Sequence, residues 1–71
     1  MKPVGVKIKE YMETHGVSQA EIADMSGIPR PKFSKMLNGE QKISLDDYAL
    51  ICGALGVGVD KFLTPKKIVL T

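Results

Sequence analysis

Apolar positions recur along this chain with the period of an α-helix in four successive stretches, and a fifth, shorter stretch follows them. Val4, Ile8, Tyr11 and Met12 stand at i, i+4, i+7 and i+8, one face of a helix running from Pro3 or Val4 to about His15. Lys7, Lys9, Glu10 and Glu13 fill the opposite, solvated side. Gly16 ends the helix, and Val17 is placed as a hydrophobic staple for a cap at Ser18.

The second stretch opens with Ser18 as N-cap and Glu21 three residues on, the spacing of a capping box. Ile22 and Met25 recur at helical spacing with small Ala20 and Ala23 around them, and Gly27 stops the helix. Ile28 precedes a proline and is biased towards extended geometry. Pro29 and Pro31 stand where a first helical turn tolerates a missing N–H. The helix they open carries Phe33, Met36 and Leu37 inwards and closes at Asn38-Gly39. The pattern is therefore a helix over about 18–26, a turn of three or four residues containing glycine, and a helix over about 29–38. That is the spacing of a helix-turn-helix.

Beyond the polar loop Glu40-Gln41-Lys42, Ser44 caps a fourth helix, with Asp46 and Asp47 suited to the positive end of its dipole. Leu45, Tyr48, Cys52 and Leu55 form its expected buried stripe. Gly53 weakens that helix by about 1 kcal/mol relative to alanine, which close packing is expected to explain. Gly56 is a natural C-cap. A short fifth helix is expected over Val59–Leu63, with Pro65 as a stop. The expectation is an all-α, compact bundle of five short helices in residues 1–64, followed by a tail, 65–71. The tail's Ile68, Val69 and Leu70 are apolar and β-prone, open to packing on helix 1, pairing with a second chain, or fraying.

Composition narrows the function classes. A chain of 71 residues is one domain near the lower limit for folding on a hydrophobic core. Its 44% apolar and 25% charged content is that of a globular protein. The formal charge of +2 is mild, but Arg30, Lys32, Lys35 and Lys42 face only Glu40 between Pro29 and Lys42, a locally basic segment. One cysteine and one histidine exclude a disulfide framework and argue against a zinc finger, so no metal and no cofactor is expected. No nucleophile–base–orienter set exists, and an enzyme is not expected. The first residues, MKPVGVKIKEY, show no signal-peptide core. The longest uncharged run, Tyr48–Val59, has 12 residues with three glycines, too short to span a bilayer. A soluble, cytoplasmic protein is expected.

Ser18-Gln19-x-Glu21-Ile22-Ala23, Gly27-Ile28, Arg30, Ser34 and Asn38-Gly39 together resemble the lambda-repressor-like (Xre-type, Cro-type) helix-turn-helix DNA-binding domain family. Leu45–Leu55 and Gly56-Val57-x-Val59-Asp60-x-Phe62-Leu63 are similar to that family's last two helices, so the likeness covers roughly residues 6–63. It implies sequence-specific binding of double-stranded DNA in the major groove by a transcriptional regulator, in most cases a repressor. The second motif helix would bring Arg30, Pro31, Ser34 and Lys35 to base edges, where Arg30 can clamp guanine O6 and N7. Gln19, Lys32, Asn38 and Lys42 would hold the phosphate backbone. It also implies a homodimer on inverted half-sites, formed with helix 5, the helix 3–4 loop and the tail. The sequence departs from the pattern at Met12 and Leu37, where the family often has arginine and glutamate, and at Pro29 and Pro31, where it favours serine-type residues. Antitoxins use the same fold, so a protein-interaction module with a partner on the Lys66–Thr71 tail is the alternative. A third reading is a fold that has lost DNA reading and only holds an assembly together.

Several features have plain explanations. Tyr11, Phe33, Tyr48 and Phe62 sit in helical stripes and read as core or core edge rather than base-stacking platforms. His15 reads as a dipole partner at a helix C-terminus, and Cys52 as a small buried hydrophobe.

Overall fold

The computed structural model describes residues 3–63. Four helices follow in order: α1 (Val4–Thr14), α2 (Gln19–Ser26), α3 (Arg30–Leu37) and α4 (Leu45–Leu55). All the secondary structure of the described residues is helical, so the chain is all-α. Helix α2 packs on both α3 and α4, while α1 lies on α3.

The caps stand where the side chains dictate. Ser18 Oγ accepts the Glu21 N–H at 3.4 Å, and Ser44 Oγ accepts the Asp47 N–H at 3.1 Å. Gly27 takes φ 72° at the end of α2, a left-handed conformation that costs a side-chain-bearing residue energy. There the Gly27 N–H bonds Asp24 O and the Ile28 N–H reaches back to Ala23 O, the paired bonds of a Schellman closure. The same pair of bonds closes α1, α3 and α4.

The core is continuous. Ile8 and Met12 of α1, Ile22 and Ala23 of α2, Ile28, Phe33, Met36 and Leu37 around α3, and Tyr48, Ile51 and Cys52 of α4 are all buried, with Phe62 closing one end. Buried Ser26 donates its hydroxyl to Ile22 O at 2.7 Å, which satisfies it. Met12 and Leu37 are both fully buried in this cluster. Apolar side chains therefore stand buried at the two positions where the resemblance implies arginine and glutamate, and no charge has to be desolvated there.

Four expectations need correction. Residues 58–63 form successive turns, with N–H bonds from Lys61 to Gly58 O and from Leu63 to Asp60 O. Five residues after a glycine give too few bonds to offset helix nucleation. The Phe62 ring in the core and the Tyr48 hydroxyl, which donates to Val59 O, hold the segment instead. Met25 (63% exposed) and Leu45 (79% exposed) turn outwards rather than into the core. The buried arc of α2 runs through Ile22, Ala23 and Ser26, and that of α4 through Tyr48, Ile51 and Cys52. Leu45 lines an open cleft of about 460 Å³ together with Pro3, Val4, Met36 and Leu63. Finally, nothing lies within 4 Å of a Cβ built at Gly53, so close packing does not explain it. Close packing falls at Gly5 instead, against the Met36 carbonyl. The domain end at 64 and the 65–71 tail lie outside the described residues, and no helix among those described is long and apolar enough to cross a membrane.

Candidate nucleic-acid interface

Helix α3 sorts its side chains cleanly. Phe33, Met36 and Leu37 are buried, whereas Arg30, Pro31, Ser34, Lys35 and Asn38 are exposed. At about 100° per residue the exposed five span an arc of roughly 140°. All four residues expected at base edges, Arg30, Pro31, Ser34 and Lys35, thus share one solvent-facing strip. Lys32 stands beside the strip, half-buried.

The prolines shape the near end of that strip. Pro29 is the N-cap residue and Pro31 the second helical residue. The Phe33 N–H bonds Pro29 O at 2.9 Å. Ahead of it, only Arg30 and Lys32 supply first-turn N–H groups, where an unmodified turn has more for an anion. Helix α2 is better provided. Gln19 is its first residue, half-buried, and its N–H and that of Ala20 precede the bonds made by Glu21 and Ile22.

Two of the four basic side chains are paired with acids on other helices. Arg30 Nε donates to Asp24 Oδ1 at 3.2 Å, and Arg30 Nη2 donates to Asp24 Oδ2 at 2.7 Å, a two-pronged bridge from α3 to α2. Both side chains are exposed, at 63% and 59%. The hydrogen-bonded guanidinium holds the Asp24 carboxyl below its ordinary pKa, and the carboxylate raises that of Arg30. Lys32 Nζ lies 3.4 Å from Asp47 Oδ2 of α4. Lys35 and Lys42 are ion-paired with no acid among the described residues. The local basicity counted along the chain is therefore reduced by two acids from other elements. Asn38 Oδ1 accepts from Lys9 Nζ at 3.1 Å, which leaves the amide NH₂ as the end free to donate outwards. Asp24 escaped the sequence reading because its pairing crosses a turn and leaves no periodic signal.

Elsewhere, His15 stands as the C-cap of α1. Its Nδ1 shares a 2.8 Å hydrogen bond with Tyr11 O, so that nitrogen carries the proton, and its ring stacks on Tyr11 at 4.0 Å between centroids. Cys52 is buried. Among the described residues no cluster of His, Cys, Asp and Glu could hold a metal ion.

Two short helices joined by the three-residue turn Gly27-Ile28-Pro29, with a polar, part-basic face on the second, define a helix-turn-helix domain. The chain belongs to the helix-turn-helix family, whose pattern it matches over residues 8–62. It is also similar to Antitoxin PezA of Streptococcus pneumoniae serotype 4 (strain ATCC BAA-334 / TIGR4), with 34% identity over 68 residues. That match covers 87% of this chain and 43% of the relative, so the chain spans less than half the length of the curated relative it matches.

Proposed function

We propose that this domain binds double-stranded DNA sequence-specifically by laying α3 in the major groove, and that it acts as a repressor-type transcriptional regulator. The observation that carries this reading is the uninterrupted exposed strip Arg30–Pro31–Ser34–Lys35 on a helix whose other face is locked into the core. A helix of this kind fits the major groove, where side-chain donors and acceptors distinguish base pairs. Arg30 and Lys35 read purine acceptors, Ser34 hydrogen-bonds a base edge, and Pro31 offers an apolar contact. Gln19, the Asn38 amide, Lys42 and Lys32, once released from Asp47, meet phosphates and set the register. The domain works as a homodimer on inverted half-sites about one helical turn apart, and no catalytic step enters.

The likeness to an antitoxin favours a second reading, in which the same domain is the DNA-binding part of an antitoxin and a protein partner is held elsewhere, the Lys66–Thr71 tail included.

The test is selection from a random duplex library at two salt concentrations, with wild type, Arg30→Ala and Lys35→Ala in parallel. An inverted repeat, relaxed at defined positions by each variant, is the expected result. The salt slope of log K should lie near −3 to −4 per domain if four cations meet phosphate or its field, about −0.9 each. Absence of sequence enrichment at both salts refutes the DNA-reading function and leaves protein interaction as the activity to pursue.

A further inference from the structure

The bridge between Arg30 and Asp24 leaves a specific part of the guanidinium free. Arginine carries five N–H donors in a rigid planar fork. Asp24 takes the Nε donor and one donor of Nη2, which is the side edge of the fork. The other Nη2 donor and both on Nη1 remain, and of these one on Nη2 and one on Nη1 lie parallel along the outer edge. Two parallel donors on that edge match guanine O6 and N7, whereas adenine presents an N6 donor in place of O6.

We infer that Asp24 is a positioning residue for base reading, gripping the side edge of Arg30 so that the outer edge is presented to guanine. This rests on the reading that Arg30 faces base edges. Asp24 can fill the role because it projects from α2, whose angle to α3 is set by buried Ile22, Ala23, Ile28 and Phe33. A long arginine otherwise loses rotamer freedom on meeting a base, and a side chain already held loses less. The carboxylate also repels phosphate, so it lowers affinity for any duplex while sharpening the preference at one position. An exposed pair of this kind contributes little to folding, so removing it leaves the scaffold intact.

The experiment measures, on the full chain, the guanine-over-adenine preference at whichever position Arg30→Ala relaxes. Asp24→Ala should lower that preference about two- to tenfold, the span expected from freeing one long side chain. Asp24→Asn, which keeps one acceptor oxygen, should fall between, while affinity for unrelated duplex holds or rises. Asp24→Ala should change nothing in an Arg30→Ala background. If Arg30→Ala relaxes one position and Asp24→Ala leaves it sharp, the positioning role is wrong and the base contact stands. A uniform loss of binding to all sequences in Asp24→Ala also overturns the role. If Arg30→Ala relaxes no position, the base contact itself is wrong and the inference falls with it. Thermal melts of each variant should match wild type.

Discussion

Gly5 and Gly53 are both helical glycines, yet replacing each with alanine should move stability in opposite directions. A Cβ added at Gly5 would lie 1.8 Å from the Met36 carbonyl oxygen and 2.8 Å from its carbon. Those are backbone atoms of α3 and cannot swing aside as a flexible side chain can. Ordinary contact would require α1 and α3 to part by about 1.5 Å, loosening the packing of fully buried Ile8 and Met12 on Met36 and Leu37. Overpacking of this kind costs about 1–3 kcal/mol, and the rigidity of the obstacle places Gly5→Ala at the upper end. Alanine returns about 1 kcal/mol of helix propensity, so a net loss near 2 kcal/mol is expected. In a domain this small each kcal/mol moves Tm by about 4–8 °C, giving a fall of about 8–16 °C. At Gly53 nothing lies within 4 Å of the new Cβ, so Gly53→Ala keeps the propensity gain and should raise Tm by about 4–8 °C. Both are read by circular-dichroism melts of the same preparation, at matched concentration. A Gly5→Ala protein melting at or above wild type would refute the close α1–α3 approach and the packing reasoning built on it.

Three further outcomes follow from the same geometry. Leu37→Glu places an unpaired carboxyl in the core, expected to cost about 3–5 kcal/mol in urea titration, and adding Met12→Arg should recover part of it if the two side chains face each other; an unchanged midpoint in Leu37→Glu would refute the burial of Leu37. Burial, followed by a hydrogen bond with Cys52, raises the Tyr48 pKa. Its contribution to stability is thus fully present below the unfolded tyrosine value of about 10 and lost as pH rises through the folded one. Tyr48→Phe should flatten this alkaline decline and speed amide exchange over residues 58–63, whose tether to Val59 O it deletes. For Asp24 the sign is opposite: its carboxyl is held low by Arg30, so its contribution exists at neutral pH and disappears as pH falls through the depressed value. Carboxyl NMR titration should show that low midpoint, and Arg30→Gln should return it to the ordinary range; an unaffected midpoint would mean the pair does not form in solution.

Four helices, their caps and the helix-turn-helix spacing were legible in the residue pattern because each depends on local chemistry. Ser18 and Ser44 accept N–H groups three residues on, and Gly27 supplies a left-handed closure whatever surrounds it. The division of α3 into a buried face at Phe33, Met36 and Leu37 and an exposed strip from Arg30 to Lys35 follows from periodicity alone. Tertiary structure decided what depends on neighbours distant in sequence. Met25 and Leu45 are apolar at helical spacing yet turn outwards, because the core takes the arcs through Ile22, Ala23 and Ser26 and through Tyr48, Ile51 and Cys52. Gly5 rather than Gly53 marks the tight helix crossing, since a glycine's neighbours across an interface leave no trace in its own segment. The charge of the reading face was set the same way. Asp24 and Asp47 reach Arg30 and Lys32 from other helices, so the basic segment counted along the chain keeps, among the described residues, its unpaired charge at Lys35 and Lys42.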